Sequence, residues 1–142
     1  MPPLTLRSAT PGDAERVLEF WNHAAEEAAR PKDTHDGILR LLDRDPEALI
    51  LALAEDEIVG SVILGWDGWR CHIYRLAVHP MNRRAGIASA LLTVAEERAR
   101  ASGAVRIDAI VFDEGEAAHC LWTSAGYVRQ ARWSRWIKDL EK

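Results

Sequence analysis

Cysteine is scarce in this chain of 142 residues, and so are two of the aromatics: there are two Cys, two Tyr and two Phe. Cys71 and Cys120 lie far apart, with neither metal-ligand nor redox spacing. Reduced thiols in a cytosolic protein are therefore expected over a disulfide, and no metal site is expected. Long apolar runs are missing too. The longest, Ala48–Ala54, is far too short to cross a bilayer, and no membrane association is expected. No secretory leader is expected either, since Met1-Pro2-Pro3 runs straight into Leu4-Thr5-Leu6. Positive charge is not in excess: 18 Lys and Arg against 22 Asp and Glu leave a formal net charge of −4. That balance disfavours nucleic acid as a partner. Low-complexity tracts and internal repeats are absent.

What is present is a soluble globular composition, 48% hydrophobic and 28% charged, in a chain long enough for one domain, 1–142, with a real core. Leu4–Arg7 reads as a first strand. Thr10-Pro11-Gly12-Asp13 is a helix start, with a capping Thr, a Pro at the first helical position and an early acid. Ala14, Val17, Leu18, Trp21, Ala25 and Ala28 then fall on one apolar face, and Pro31 stops the helix. Thr34 caps a second helix carrying Ile38, Leu41 and Leu42, which Asp45-Pro46 ends. Ala48–Ala54 is a strand covered on both faces. Glu55-Asp56-Glu57 turns the chain into a strand over Ile58–Trp66, and Asp67-Gly68 is a two-residue hairpin signal. Ile73–Val78 is the next strand, ended by Pro80. Ala88, Leu91, Leu92, Ala95 and Ala99 define a helix face. Val105, Ile107, Ala109 and Val111 alternate as a strand, and Glu116–Ala125 is helical with Gly126 as its cap. Tyr127–Leu140 reads as a last strand. The order is β-α-α-β-β-β-α-β-α-β. Central hairpins followed by a crossover give an α/β fold with a mixed, largely antiparallel sheet and helices on both faces.

The stretch with the clearest chemistry joins the fourth strand to the third helix: Arg83-Arg84-Ala85-Gly86-Ile87-Ala88. A turn entering a helix leaves backbone N–H groups unpaired where the helix dipole is positive, which suits a phosphate or pyrophosphate. Gly86 lets a ligand approach the backbone closely. Arg83 and Arg84 add charge.

Arg83-x-x-Gly86-x-Ala88, after a strand ending in Val78-His79-Pro80, resembles the acetyl-coenzyme A signature Q/R-x-x-G-x-G/A of the GNAT family (Gcn5-related N-acetyltransferases). The element order also matches that fold, so the resemblance covers nearly the whole chain and is sharpest from Ile73 to Tyr127. It implies an acyl-CoA N-acyltransferase that moves an acetyl group from acetyl-coenzyme A directly to a primary amine in a ternary complex. It implies that backbone amides of the turn, from Arg84 through Ala85, Gly86, Ile87 and Ala88 to Ser89, hold the pyrophosphate. It further implies that the backbone of Leu76, Ala77 and Val78 pairs with the pantetheine arm and holds the thioester carbonyl, as an added strand would. A second family segment, N-x-x-A-x-x-L-Y-x-x-x-G-F/Y, aligns on Gly126-Tyr127. Ala118 and Leu121 match. The family Asn is Gly115 here, and the family Tyr, which protonates the departing thiolate, is Trp122. Trp122 either lines the cofactor slot or fills the core. Cys120, Ser124 and Tyr127 are the nearby substitutes as acid.

An amine must lose its proton before it attacks a thioester, so a base is needed. His72 is the candidate, with Tyr74 beside it; period-2 alternation puts both on the face of Leu76. Six Trp is a high count. By the resemblance, Trp21 and Trp66 line an acceptor pocket for an apolar or cationic amine; the other reading is core filler. Arg129, Arg132, Arg135 and Lys138 interleave with Trp133 and Trp136 as a solvated strand face. This tail is short for the family. The acceptor site is then either open, suiting a protein terminus or lysine, or closed by a second subunit in a homodimer. A non-catalytic acyl-CoA-binding module is the alternative function, and Trp122 is its main support.

Overall fold

The protein is described by a computed structural model covering residues 3–24, 31–83, 85–111 and 116–140. These fall into two compact units, Met1–Ile110 and Val111–Lys142. In the first unit, β1 (Leu4–Ser8), β2 (Leu49–Ala54), β3 (Glu57–Trp66), β4 (Cys71–Val78) and β5 (Ile107–Ala109) lie side by side in chain order. Pairs from β1 to β4 are antiparallel, and β5 runs parallel to β4. A parallel step needs a crossover, supplied by helix α3 (Ile87–Ser102).

β2 is buried at every position, as its unbroken apolar run requires of a central strand. On one face of the sheet, Leu49, Leu51, Leu53 and Ala77 form a cluster with helices α1 (Ala14–Ala24) and α2 (His35–Arg44), through Val17, Phe20, Trp21, Ile38 and Leu42. On the other, α3 buries Ile87, Leu91, Leu92, Ala95 and Ala99 along one stripe. Each such Leu or Ile contributes about 1.5–3 kcal/mol.

α3 is fixed along its length by two contacts. At its first turn it lies over Gly60, where an added Cβ would come within 2.8 Å of Ile87 Cγ2 and 3.0 Å of Leu91 Cδ1. Further on, the Arg98 guanidinium donates to Ser8 Oγ at 2.9 Å and to the Glu47 carbonyl. The start of α1 is fixed as well. The buried Asp13 carboxylate accepts from Arg7 Nη1 at 2.7 Å and Nη2 at 3.1 Å, and from the Thr10 N–H at 2.8 Å. These donors hold its carboxyl well below the usual range, with Arg7 the leading cause. The expected Thr34 cap of α2 is present, its Oγ1 accepting from the Gly37 N–H at 3.0 Å.

Strands β1, β3 and β4 run one or two residues beyond their expected bounds, to Ser8, from Glu57 and from Cys71, and other expectations change as well. The β3–β4 loop spans Asp67 to Arg70 rather than two residues, because Asp67 Oδ1 accepts the N–H groups of both Trp69 and Arg70 at 2.7 Å and widens the turn. β5 is confined to Ile107–Ala109, and Val105 is exposed. Residues 127–140 form no strand. Their alternating basic and aromatic residues give no side that is buried: Val128, Trp133, Trp136 and Leu140 are all exposed. The last helix, α4, spans Glu116–Ser124, one residue shorter than expected. Ala25 and Ala28 lie outside the described residues. Among those described, no helix is long and apolar enough to cross a membrane.

Candidate functional site

α3 begins on Gly86, whose backbone is left-handed at φ 78° and ψ 9°. Glycine adopts this without a Cβ penalty. Ala90 is the first residue to return an N–H into the helix, to the Gly86 carbonyl at 3.1 Å. The N–H groups of Ile87, Ala88 and Ser89 therefore lead the helix. Ile87 presents only backbone here, since its side chain is buried over Gly60. Ala85, Gly86 and Ser89 are exposed and Ala88 is half-buried. Among the described residues, and leaving aside its chain neighbours, a Cβ on Gly86 would meet no atom within 4 Å. Arg83 is exposed and its Nε donates to the Val78 carbonyl at 3.4 Å, drawing the turn towards the end of β4. Arg84 lies outside the described residues.

β4 is the second part of the site. It pairs with β3 along its length but has an extra residue: Tyr74 faces Ile63 and Ala77 faces Ser61, with a register shift between. The bulge centres on Arg75, a non-glycine residue at φ 50°, a conformation costing roughly 1–2 kcal/mol. Three contacts hold it. Ser61 Oγ donates to the Arg75 carbonyl at 2.8 Å, and Trp21 Nε1 donates to Ser61 Oγ at 2.9 Å. The Arg75 guanidinium donates to Asp33 Oδ1 at 2.5 Å and lies 5.4 Å from the centre of the Trp21 ring. The bulge corrects the alternation expected from sequence. The face of His72 and Tyr74 continues through Ala77, which joins the α1–α2 cluster, and not through Leu76.

On its other side β4 is only partly paired. β5 meets it at Cys71, His72 and Ile73 and goes no further. From Tyr74 to Val78 the edge has no strand partner among the described residues, although the Val78 carbonyl accepts from Arg83 Nε. Val78 faces Gly60 across the β3 pairing, and Gly60 supports the first turn of α3. The open edge and the helix start thus converge on one glycine.

At the closed end of this gap His72 faces Asp108 across β4 and β5. Their Nδ1 and Oδ2 atoms are 4.0 Å apart, both side chains are partly exposed, and Arg106 Nε donates to Asp108 Oδ1 at 3.1 Å. The Tyr74 ring lies 6.1 Å from the imidazole and packs over Gly65. Trp21 and Trp66 are not brought together. Trp21 is 4% exposed, beneath the bulge. Trp66 pairs with Cys71 on the α3 face and lines a cleft with Ala101 and Ser102 at the far end of that helix. A helix of 16 residues spans about 24 Å, so Trp66 is remote from the Gly86 turn. Sequence reasoning missed Gly60 and Asp108. A lone Gly in a strand signals close approach, and Asp108 lies between the alternating apolar positions Ile107 and Ala109.

In the second unit, α4 carries Cys120, exposed and free, and Trp122, half-buried. The Trp122 and Tyr127 rings meet edge to face at 4.8 Å, and the Tyr127 N–H bonds the Trp122 carbonyl at 2.9 Å. Ser124 Oγ donates to the Leu121 carbonyl at 2.9 Å. Gly126, at φ 93°, makes the turn after the helix.

Comparison with known proteins gives this geometry a family. The profile of the acetyltransferase (GNAT) family matches residues 14–127. An acetyltransferase of Yersinia enterocolitica is 33% identical over 128 residues, covering 89% of each chain. Among solved structures, an acetyltransferase of the GNAT family from Streptococcus pneumoniae superposes with a TM-score of 0.77 at 23% identity, covering 91% of this chain and 87% of that one. AAC(6′)-Iy, in complex with the bisubstrate analogue CoA-S-monomethyl-acetylneamine, superposes with a TM-score of 0.76 at 14% identity, covering 96% and 99%. With a glycine-led helix start beside a partly paired strand, and this match over most of its length, the chain belongs to the GNAT family of acetyltransferases.

Proposed function

We propose that the chain works as a single acetyltransferase domain that moves an acetyl group from acetyl-coenzyme A to a primary amine, directly and in a ternary complex. The observation that carries this reading is the meeting at Gly60 of the first turn of α3 and of Val78, the end of a β4 edge that no strand among the described residues pairs beyond Ile73. One suits a diphosphate; the other suits an extended amide chain lying as an extra strand. The fit is favourable at both ends. Among the described residues nothing beyond its chain neighbours crowds a Cβ at Gly86, and Ala77 and Val78, just past the bulge, pair with Ser61 and Gly60 of β3 on their inner side.

In the reaction the amine nitrogen forms a bond to the thioester carbon and the carbon–sulfur bond breaks. The amine gives up a proton, and the departing thiolate takes one. His72, on the strand that carries the edge, is the base in this reading, with Asp108 orienting its imidazole. Amides of the Leu76–Val78 edge stabilise the charge that develops on the carbonyl oxygen.

The test incubates the protein with acetyl-coenzyme A and a panel of small amines, peptides with free N-termini and lysine peptides, following release of free thiol. Turnover on an amine is expected, and Gly86→Val is expected to weaken acetyl-coenzyme A binding at least tenfold. Binding without turnover on any amine would favour a non-catalytic module. Equal binding by wild type and Gly86→Val would overturn the reading.

A further inference from the structure

Ser61 is fully buried in an otherwise apolar layer, and its hydroxyl links two groups that are distant in sequence. It receives the indole N–H of Trp21 at 2.9 Å and gives its own proton to the carbonyl of Arg75 at 2.8 Å. Trp21 is itself 4% exposed. Packing alone does not ask for a hydroxyl here, since an alanine would suit the apolar surroundings. What the hydroxyl does is hold one peptide unit in one orientation.

A trans peptide is planar, with its C=O and N–H pointing in opposite directions, and the described chain has no cis peptide bond. When Ser61 draws the Arg75 carbonyl inward, the N–H of the same peptide, that of Leu76, is turned outward. Outward is the side on which β4 has lost β5. The arrangement is held from the side chain as well. The Arg75 guanidinium is tied to Asp33 and lies on the ring of the same Trp21. A left-handed arginine at φ 50° persists only where its surroundings over-determine it. Here the same indole braces it twice, through the ring and through the ring N–H.

We infer that Trp21 and Ser61 are positioning residues that aim the Leu76 amide at the acyl oxygen of the thioester, with Arg75 and Asp33 completing the brace. The inference rests on the acetyl-transfer reading above and assigns Trp21 to the support of the strand edge rather than to the acceptor pocket. Mis-aiming the amide weakens the interaction that grows in the transition state and leaves diphosphate binding at the α3 start untouched.

The experiment compares wild type with Ser61→Ala, Ser61→Thr and Trp21→Phe, each checked for folding by circular dichroism. Ser61→Ala is expected to lower kcat by about 10- to 100-fold, part of the loss typical of a removed oxyanion donor, with KM and Kd for acetyl-coenzyme A unchanged. Ser61→Thr, which keeps the hydroxyl, is expected to restore most of kcat. Trp21→Phe keeps the ring under Arg75 and loses only the donor, and a fall of roughly two- to tenfold is expected; it carries the test should Ser61→Ala fail to fold. The Leu76 amide resonance in the free protein is an independent readout, expected to shift in Ser61→Ala and return in Ser61→Thr. Unchanged kcat in folded Ser61→Ala and Trp21→Phe proteins would overturn the brace and leave acetyl transfer standing. Should wild type not bind acetyl-coenzyme A, the transfer reading fails, and an unmoved Leu76 resonance would then overturn the brace on its own.

Discussion

Replacing Gly60 with Ala isolates the contact that places the α3 start against β4. The substitution would bring a methyl group within 2.8 Å of Ile87 Cγ2 and 3.0 Å of Leu91 Cδ1, both on buried side chains. Leu91 can give by a small torsion. Ile87 cannot, because a β-branched residue in a helix has one strongly preferred rotamer and Cγ2 sits directly on Cβ. The first turn of α3 must therefore lift. Overpacking of this kind costs about 1–3 kcal/mol. The lower entropy of the unfolded Ala chain offsets roughly 0.4–1 kcal/mol of that. A net loss of about 1–2 kcal/mol corresponds to a fall in Tm of roughly 2–8 °C for a domain of this size. Because the lifted turn is the one that carries the Ile87–Ser89 amides, acetyl-coenzyme A affinity should fall with it. Thermal unfolding by circular dichroism and calorimetric titration read the two effects. Ile87→Ala removes the obstructing Cγ2, so the Gly60→Ala penalty should largely vanish in the Ile87→Ala background. A Tm and affinity equal to wild type in Gly60→Ala, or strictly additive losses in the double variant, would refute the placement argument.

Asp13→Asn leaves Arg7 without its anion and should cost about 1–3 kcal/mol, moderated by the partial exposure of Arg7. Since its partners hold the Asp13 carboxyl low, its contribution is complete above the ordinary carboxylate pKa of about 4 and is lost as pH falls through the folded value. Tm measured from pH 6 down to pH 2 should therefore drop more gently in Asp13→Asn than in wild type. His72→Gln should lower kcat by about 100-fold with little change in acetyl-coenzyme A binding, and Asp108→Asn by less; full activity in His72→Gln at neutral pH removes it as the base. Iodoacetamide should label Cys120, which is exposed, and spare Cys71, which is buried and whose thiol burial pushes up. If Cys120 protonates the leaving thiolate, labelling should lower kcat, and Cys120→Ala should do the same.

Periodicity carried the helices well. The stripe from Leu91 to Ala99 and the apolar run of β2 could be placed from residue spacing because burial on one face or on two leaves a direct mark on composition. The Gly86 turn was legible because a glycine between a strand and an apolar helix face lets a ligand approach the backbone, and the structure adds that its backbone is left-handed. The bulge was not legible. Arg75 adopts a similar backbone conformation with no residue-type signal, because the contacts that hold it come from Trp21, Ser61 and Asp33, all remote in sequence. One unseen extra residue was enough to move Leu76 off the face of Tyr74, as a slip of one does in any strand. The separation of Trp21 and Trp66 onto opposite faces depends on the same long-range register. Residues 127–140 show the converse failure: strand-like residue types were present, but a strand requires a partner edge, which composition does not record.

The Arg98 tether to Ser8 and the Glu47 carbonyl, set against the Gly60 contact at the other end, makes α3 a strut pinned at two points. Both contacts oppose sliding of the helix along its own axis, so on the proposed reading the height of its leading amides is expected to be set by the fold before a nucleotide arrives. Capture of the diphosphate should then proceed with little conformational entropy loss, and heat-capacity changes on binding should reflect covered surface rather than coupled ordering of the helix.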